Sequence, residues 1–342
     1  ISFISLLLIK NKNTIININK TKKIKQIKRF EKSLKKIEEN EIQNFRFINS
    51  NKILIDKKKY SKSDNPDITV VLTMFNQAHC IHKALRSIQN QSLKNIEILV
   101  IVDCSNDNST ETIQKYMEED ERIIMVNHDY IEGTMKIRSE GIKLARGKYI
   151  TALDGDDTFI QKDILNNSLY LANLGDLDIV EFYTSFYINN TFNRYIYKNK
   201  NIKRIIYQPE LRTKFFKINE KDDSHRPIIT RNIWGKIVKN EILKKAIDNI
   251  GIKYTNDFIT VYEDTMMSVS LFQVAQSFYS LKQEGLYYSQ DDKSGRYPAL
   301  KNKICNERKK GKGDDSLKFL HFLMENLKDN KINLRSKLFI MK

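Results

Sequence analysis

"ITVVLTMF", residues 68–75, is an unbroken β-branched and apolar run of strand length. It shows no polar alternation, so it suits a strand covered on both faces rather than one facing water. The pattern then repeats. "CIHKALRSIQNQ" (80–91) reads as an amphipathic helix and "IEILVIVD" (96–103) as a second buried strand. "STETIQKYMEED" (109–120) is a helix opened by a Ser-Thr capping signal, and "RIIMVNH" (122–128) is a third strand. "TMKIRSEGIKLARG" (134–147) is a helix closed by Gly147, and "KYITALD" (148–154) is the fourth strand. Strands alternating with helices of about 12 residues predict a parallel α/β sheet. Right-handed crossovers would bring the strand C-termini to one edge, where ligands bind.

Every one of these strands ends in polar, mostly acidic residues. Asn76 and Gln77 follow the first, "DCSNDNST" (103–110) the second, "NHDYIEG" (127–133) the third and "DGDD" (154–157) the fourth. One such loop is explained by a solvated turn; four in succession point to a site. No GxGxxG follows the first strand, which argues against a dinucleotide-binding enzyme. "DCSNDNST" lacks the glycine and the twelfth-position acid of a calcium loop, since Gln114 stands there. His79 and His82 have no third ligand nearby in sequence. The stretch from Gly141 to Lys148 misses the Walker spacing, and Tyr149 stands where Ser or Thr is needed. "DGDD" survives this sifting. Carboxylates this close repel and raise one another's pKa, unless a hard cation such as Mg²⁺ or Mn²⁺ joins them. Such an ion would also reverse the local charge for a diphosphate.

The chain has 342 residues and a formal charge of +17, which raises nucleic acid or an anionic membrane as a partner. The charge is not on the patterned region. Residues 1–65 carry a net +11 and residues 300–342 a net +7, whereas 66–299 sum to −1. A nucleic-acid enzyme carries its basic surface on the folded domain, so that class is set aside. Cys80, Cys104 and Cys305 form no CxxC pair, hence neither a disulfide framework nor a zinc site. "ISFISLLLI" (1–9) is too short to span a bilayer, which needs about 20 residues. If it belongs to a membrane anchor, the protein is membrane-associated, at the endoplasmic reticulum, Golgi or plasma membrane; otherwise it is cytoplasmic. Residues 10–65 read as a charged helical stalk or linker ahead of Pro66.

With these motifs in view, the stretch from about Asp67 to Tyr288 resembles the family 2 glycosyltransferases, which are inverting, nucleotide-sugar-dependent enzymes of GT-A type. "TVVLTMFN" (69–76) resembles the family's opening strand, with Thr73 in place of its usual Pro and Phe75 in place of its Tyr. "VDCSNDNST" (102–110) resembles the segment V-D-D-x-S-x-D-x-T, with one Asp of the pair kept as Asp103. "EGTMKIRSEG" (132–141) supplies Gly133, Arg138 and Gly141 of the next loop and helix, and "DGDD" fits the family's D-x-D. The resemblance implies a donor site lined by Thr73, Phe75, Asn76, Asp103, Arg138, Asp154, Gly155 and Asp156. Asp103 would read the uracil of a UDP-sugar, and Arg138 would approach its phosphates. Asp154 and Asp156 would hold Mn²⁺ or Mg²⁺, with Asp157 behind them.

The second half carries the resemblance further. "NIWGKIVKNEIL" (232–243) is similar to a family segment at the start of a helix. "VYEDTMMSVSLF" (261–272) is similar to the E-D segment that opens another helix, 110 positions after the D-x-D. Asp264 would be the general base and Glu263 its neighbour that orients the acceptor or buffers the base; by themselves, two acids there could simply complement a helix dipole. The implied architecture is a Rossmann-like, mostly parallel sheet flanked by helices, with a smaller antiparallel acceptor region. A transferase domain would cover 66–299, divided into a nucleotide-binding half (66–158) and an acceptor half (159–299), with a basic helical tail over 300–342. The aromatic-polar alternation of 183–231 predicts antiparallel strands near the acceptor, and His225 is a candidate diphosphate contact. The acceptor would be a glycan, a lipid or a protein. Two other classes fit less well: a sugar-phosphate nucleotidyltransferase, which needs a glycine loop that "MFNQAHC" lacks, and a non-catalytic protein keeping the fold.

Overall fold

The computed structural model describes residues 65–187, 194–197, 202, 204–216, 229, 231–289, 315 and 317–325. The expected N-terminal stalk and His225 lie outside these residues. The alternation seen in the sequence is the alternation observed. Strand β1 (Ile68–Met74), helix α1 (Ile81–Gln89), β2 (Ile96–Val102), α2 (Ser109–Glu119), β3 (Ile123–Asn127), α3 (Thr134–Leu144) and β4 (Tyr149–Asp154) follow in order. The chain continues through β5 (Thr158–Phe159), α4 (Ile164–Gly175), β6 (Ile179–Tyr187), β7 (Arg194–Tyr197), β8 (Ile206–Tyr207) and α5 (Glu210–Phe216). It closes with β9 (Lys236–Lys239), α6 (Asn240–Ile250), α7 (Ile252–Thr255), α8 (Glu263–Val274) and β10 (Ser277–Tyr287).

One mixed sheet carries both halves, in the order β3-β2-β1-β4-β9-β6-β10-β5. The long ladders are parallel: β1 with β2 and β4, β2 with β3, and β6 with β10. The shorter ladders of β9, β7, β8 and β5 are antiparallel. Every residue of β1 and β2 is buried, as their unbroken apolar runs demand. Their side chains divide between two cores. Val71, Leu99 and Ile101 face Met135 and Ile142 of α3, while Val70, Leu72 and Val100 face Ile81 and Leu85 of α1. Because β2 and β4 lie on opposite sides of β1, the strand order reverses there. A crevice therefore opens at the C-terminal ends of β1 and β4.

Four local expectations are corrected. Helix α3 ends at Leu144, so Gly147 is not its stop. A Cβ on Gly147 would collide with the Ile68–Thr69 backbone, and its N–H donates to Thr69 Oγ1 (2.8 Å); the glycine lets the chain turn into β4. The Ser-Thr pair at 109–110 does not cap α2. The N-cap is Asn108, which makes no side-chain cap bond, and Asp107 one residue earlier accepts the Ser109 N–H at 3.0 Å. The Trp-Gly-Lys segment leads into a strand, β9, before helix α6 begins. Finally, the expected antiparallel pairing occurs where β6 meets β7 and β9 and where β8 meets β10, but β6 also runs parallel to β10.

Residues 317–325 form a helix that is part of the core rather than a detached tail. Phe319 and Phe322 are buried; Phe319 stacks on Tyr262 with 4.9 Å between ring centroids, and Phe322 meets Tyr254 edge-on. No helix among the described residues is long and apolar enough to cross a membrane.

Candidate active site

The rim begins with a cross-strand pair. Parallel pairing of β1 with β4 sets Thr73 beside Asp154, and Thr73 Oγ1 donates to Asp154 Oδ1 at 2.9 Å. Asn76 and Cys104, just past β1 and β2, both adopt positive φ, near 50°. Such backbone is uncommon for residues other than glycine and is held here by side-chain bonds. Asn76 N–H donates to Ser105 Oγ (2.9 Å), and Asn106 N–H donates to Asn76 Oδ1 (2.7 Å). Ser109 Oγ accepts the Gln77 N–H, and Asp107 Oδ2 accepts the Ala78 N–H. The polar residues of "DCSNDNST" thus lace two neighbouring loops together.

Asp103 is fully buried, and its two carboxylate oxygens accept the N–H groups of Glu132 (2.6 Å) and Gly133 (3.0 Å). Burial pushes its pKa up, and these two bonds work against that rise. In this structure its contacts are with the loop ahead of α3, not with open solvent. Thr73 and Phe75 are buried, and Asn76 is half-buried. Gly155 lies against Gln77, whose Oε1 a Cβ there would strike.

Arg138 joins the two halves. It projects from α3, is 2% exposed, and meets three carboxylates. Its Nη2 donates to Asp154 Oδ1 (2.6 Å), and its Nη1 donates to Asp264 Oδ1 (2.6 Å) and Glu263 Oε1 (3.3 Å). Burial opposes its charge, but Asp154, Asp264 and Glu263 outweigh that and raise its pKa. The acid that ends β4 and the acids that open α8 are therefore held by one guanidinium, although 110 positions separate Asp154 from Asp264. Burial pushes Glu263 up to about 7, helped by Asp264 and opposed by Arg138. Burial also raises Asp264, with Arg138 countering and Asp154 adding to the rise. Asp157 is fully buried, and its Oδ1 accepts the Ser289 N–H at 2.9 Å. Burial, then Asp156 and Asp154, hold its pKa well above the usual carboxylate range.

A second buried charge went unnoticed in the sequence. Lys236 of β9 is fully buried, lies 3.7 Å from Glu181 Oε1, and donates to the carbonyls of Asn232 (2.6 Å) and Trp234 (3.3 Å). A lysine directly ahead of the apolar pair Ile237–Val238 in the short strand "KIVK" was the available signal. Burial lowers its pKa, while Glu181 and Asp264 oppose that fall.

Asp154 and Asp156 are hard ligands, suited to Mg²⁺ or Mn²⁺. Among the described residues no group of three or more His, Cys, Asp or Glu is arranged to hold a metal. Asp154 Oδ1 is already taken by Thr73 and Arg138. The protein offers two carboxylates rather than a cage, a set that fits an ion sharing its shell with substrate phosphates.

Sheet, crevice and acidic rim together define a GT-A fold. The Staphylococcus aureus TarS fragment 1–349 in complex with UDP-GlcNAc has the same architecture, with a TM-score of 0.56, 16% identity, and coverage of 80% of this chain and 70% of that one. The family model described as "Glycosyl transferase family 2" matches residues 69–234. An uncharacterized glycosyltransferase of Methanocaldococcus jannaschii is 26% identical over 234 residues, 64% of this chain and 79% of that protein. A Campylobacter jejuni GalNAc(5)-diNAcBac-PP-undecaprenol beta-1,3-glucosyltransferase is 33% identical over 111 residues; the match spans 32% of this chain and only 36% of that protein. Residues 69–234 thus carry a glycosyl transferase family 2 region, and the protein is a glycosyltransferase.

Proposed function

We propose that the protein transfers a sugar from a nucleoside diphosphate sugar, a UDP-sugar, to an acceptor hydroxyl with inversion, Asp264 acting as general base. The observation that carries this is the Arg138 bridge, which brings the β4 carboxylate and the α8 acids to one guanidinium. TarS supports UDP as the carrier, since it is seen with UDP-GlcNAc. The undecaprenol-diphosphate glucosyltransferases of Campylobacter jejuni and Escherichia coli support a lipid-linked glycan as acceptor.

The nucleotide would lie across the ends of β1, β2 and β4. Asp156, with the other carboxylate oxygen of Asp154, would hold Mg²⁺ or Mn²⁺, which when bound would offset the charge growing on the departing diphosphate. Asp264 accepts the proton of the acceptor hydroxyl as that oxygen attacks the anomeric carbon. Attack from the face opposite the diphosphate inverts the centre, and no enzyme nucleophile is needed. Burial makes Asp264 a stronger base than an exposed carboxylate, while Arg138 opposes that rise. Glu263, whose pKa lies near neutrality, is suited to orient the acceptor hydroxyl.

Asp264→Asn should lower transfer by roughly 10²–10⁴-fold while nucleotide binding in the presence of Mn²⁺ is retained. Transfer at the wild-type rate in this variant would remove Asp264 as base. A thermal-shift screen of nucleotide sugars, with and without Mn²⁺, identifies the carrier base and tests the ion independently.

A further inference from the structure

Trp234 is the chain's only tryptophan. It is half-buried and stacks on the half-buried Tyr288, with 5.2 Å between centroids and 20° between planes. The pair is framed by the site's acids on both sides. The residue before Trp234, Ile233, gives its main-chain N–H to Asp264, and the residue after Tyr288, Ser289, gives its N–H to Asp157. Trp234 also bridges Ala152 of β4, two residues before Asp154. The tryptophan's own loop is braced from beneath. Lys236 Nζ holds the carbonyls on both sides of Ile233, and Gly235 turns at φ +72° with its carbonyl accepting the Phe182 N–H.

A partly exposed aromatic pair held this firmly, between the acid behind the D-x-D and the proposed base, has a chemical reading. A sugar attached to the diphosphate must span that gap. A pyranose ring has a C–H face that packs on an aromatic plane, and a rigid aromatic surface gives up little entropy when it binds. We propose that Trp234, backed by Tyr288, is the platform on which the transferred sugar rests, which makes it a residue that determines donor-sugar specificity. This rests on the nucleotide-sugar function proposed above.

The single tryptophan is its own reporter. Titrating the 342-residue wild-type chain, in Mg²⁺, with UDP, UDP-glucose and UDP-GlcNAc should change tryptophan emission with at least one UDP-hexose and much less with UDP. Calorimetry of Trp234→Leu should show UDP affinity within about twofold of wild type, and the bound UDP-hexose weakened by about tenfold; Trp234→Phe should recover most of that loss. Equal emission changes for UDP and UDP-hexoses, or UDP-hexose affinity in Trp234→Leu equal to wild type, would overturn the platform while leaving the transferase function intact. A wild-type chain that binds none of the three ligands would instead overturn the nucleotide-sugar reading, and the platform with it.

Discussion

Arg138 is the residue on which the site's geometry turns. Replacing it with Met would leave Asp154, Glu263 and Asp264 crowded around an apolar side chain. Loss of one partner from a buried ion pair costs about 3–5 kcal/mol, so chemical denaturation should show a drop of that order. Nothing in its sequence setting tells a phosphate-binding arginine from one that ties acids together. Its partners come from β4 and α8, and only folding brings them to it. Glu263 gives a pH signature with a definite sign. Its folded pKa, about 7, lies above its ordinary 4.5. The folded protein therefore keeps this proton where the unfolded chain has released it. The stability from Glu263 is complete below pH 4.5 and is lost as pH rises to about 7. Melting temperatures recorded across that range should decline less steeply in Glu263→Gln than in wild type.

At the level of elements, the four N-terminal strands and three helices were legible because each buries an unbroken or periodic apolar run. The acids at their ends were legible from the same pattern, and the resemblance gave them roles. What stayed hidden is how the ends are fastened. Ser105, Asp107 and Ser109 read as motif letters, yet they serve as acceptors for N–H groups of the preceding loop. That pairing depends on β1 and β2 being neighbours, a fact of topology rather than of local sequence. Gly147 was misread for the same reason: its neighbour is the backbone of β1, 78 positions away in sequence at Thr69. Gly147→Ala should destabilise the protein by about 1–3 kcal/mol through overpacking, measurable as a lower denaturation midpoint with an unchanged slope. A helix-stop role would predict a milder effect confined to the end of α3.

On the scale of the whole molecule, the helix over 317–325 belongs to the hydrophobic core, because its phenylalanines seat against Tyr262 and Tyr254, which precede α8. Phe322→Ala should cost about 3–5 kcal/mol and lower the melting temperature. Charge bookkeeping had assigned this stretch to a basic tail, since net charge is blind to two aromatic residues three positions apart on one helical face. The continuous sheet has a further consequence. The first and second halves of the chain share hydrogen bonds across β4 and β9, and Arg138 ties the end of β4 to α8, so the two halves are joined through one sheet rather than through a hinge. Changes in substrate preference must then be written in the loops that crown the strands. Grafting those loops from a relative, with the sheet left untouched, is the natural route to a transferase with a different sugar.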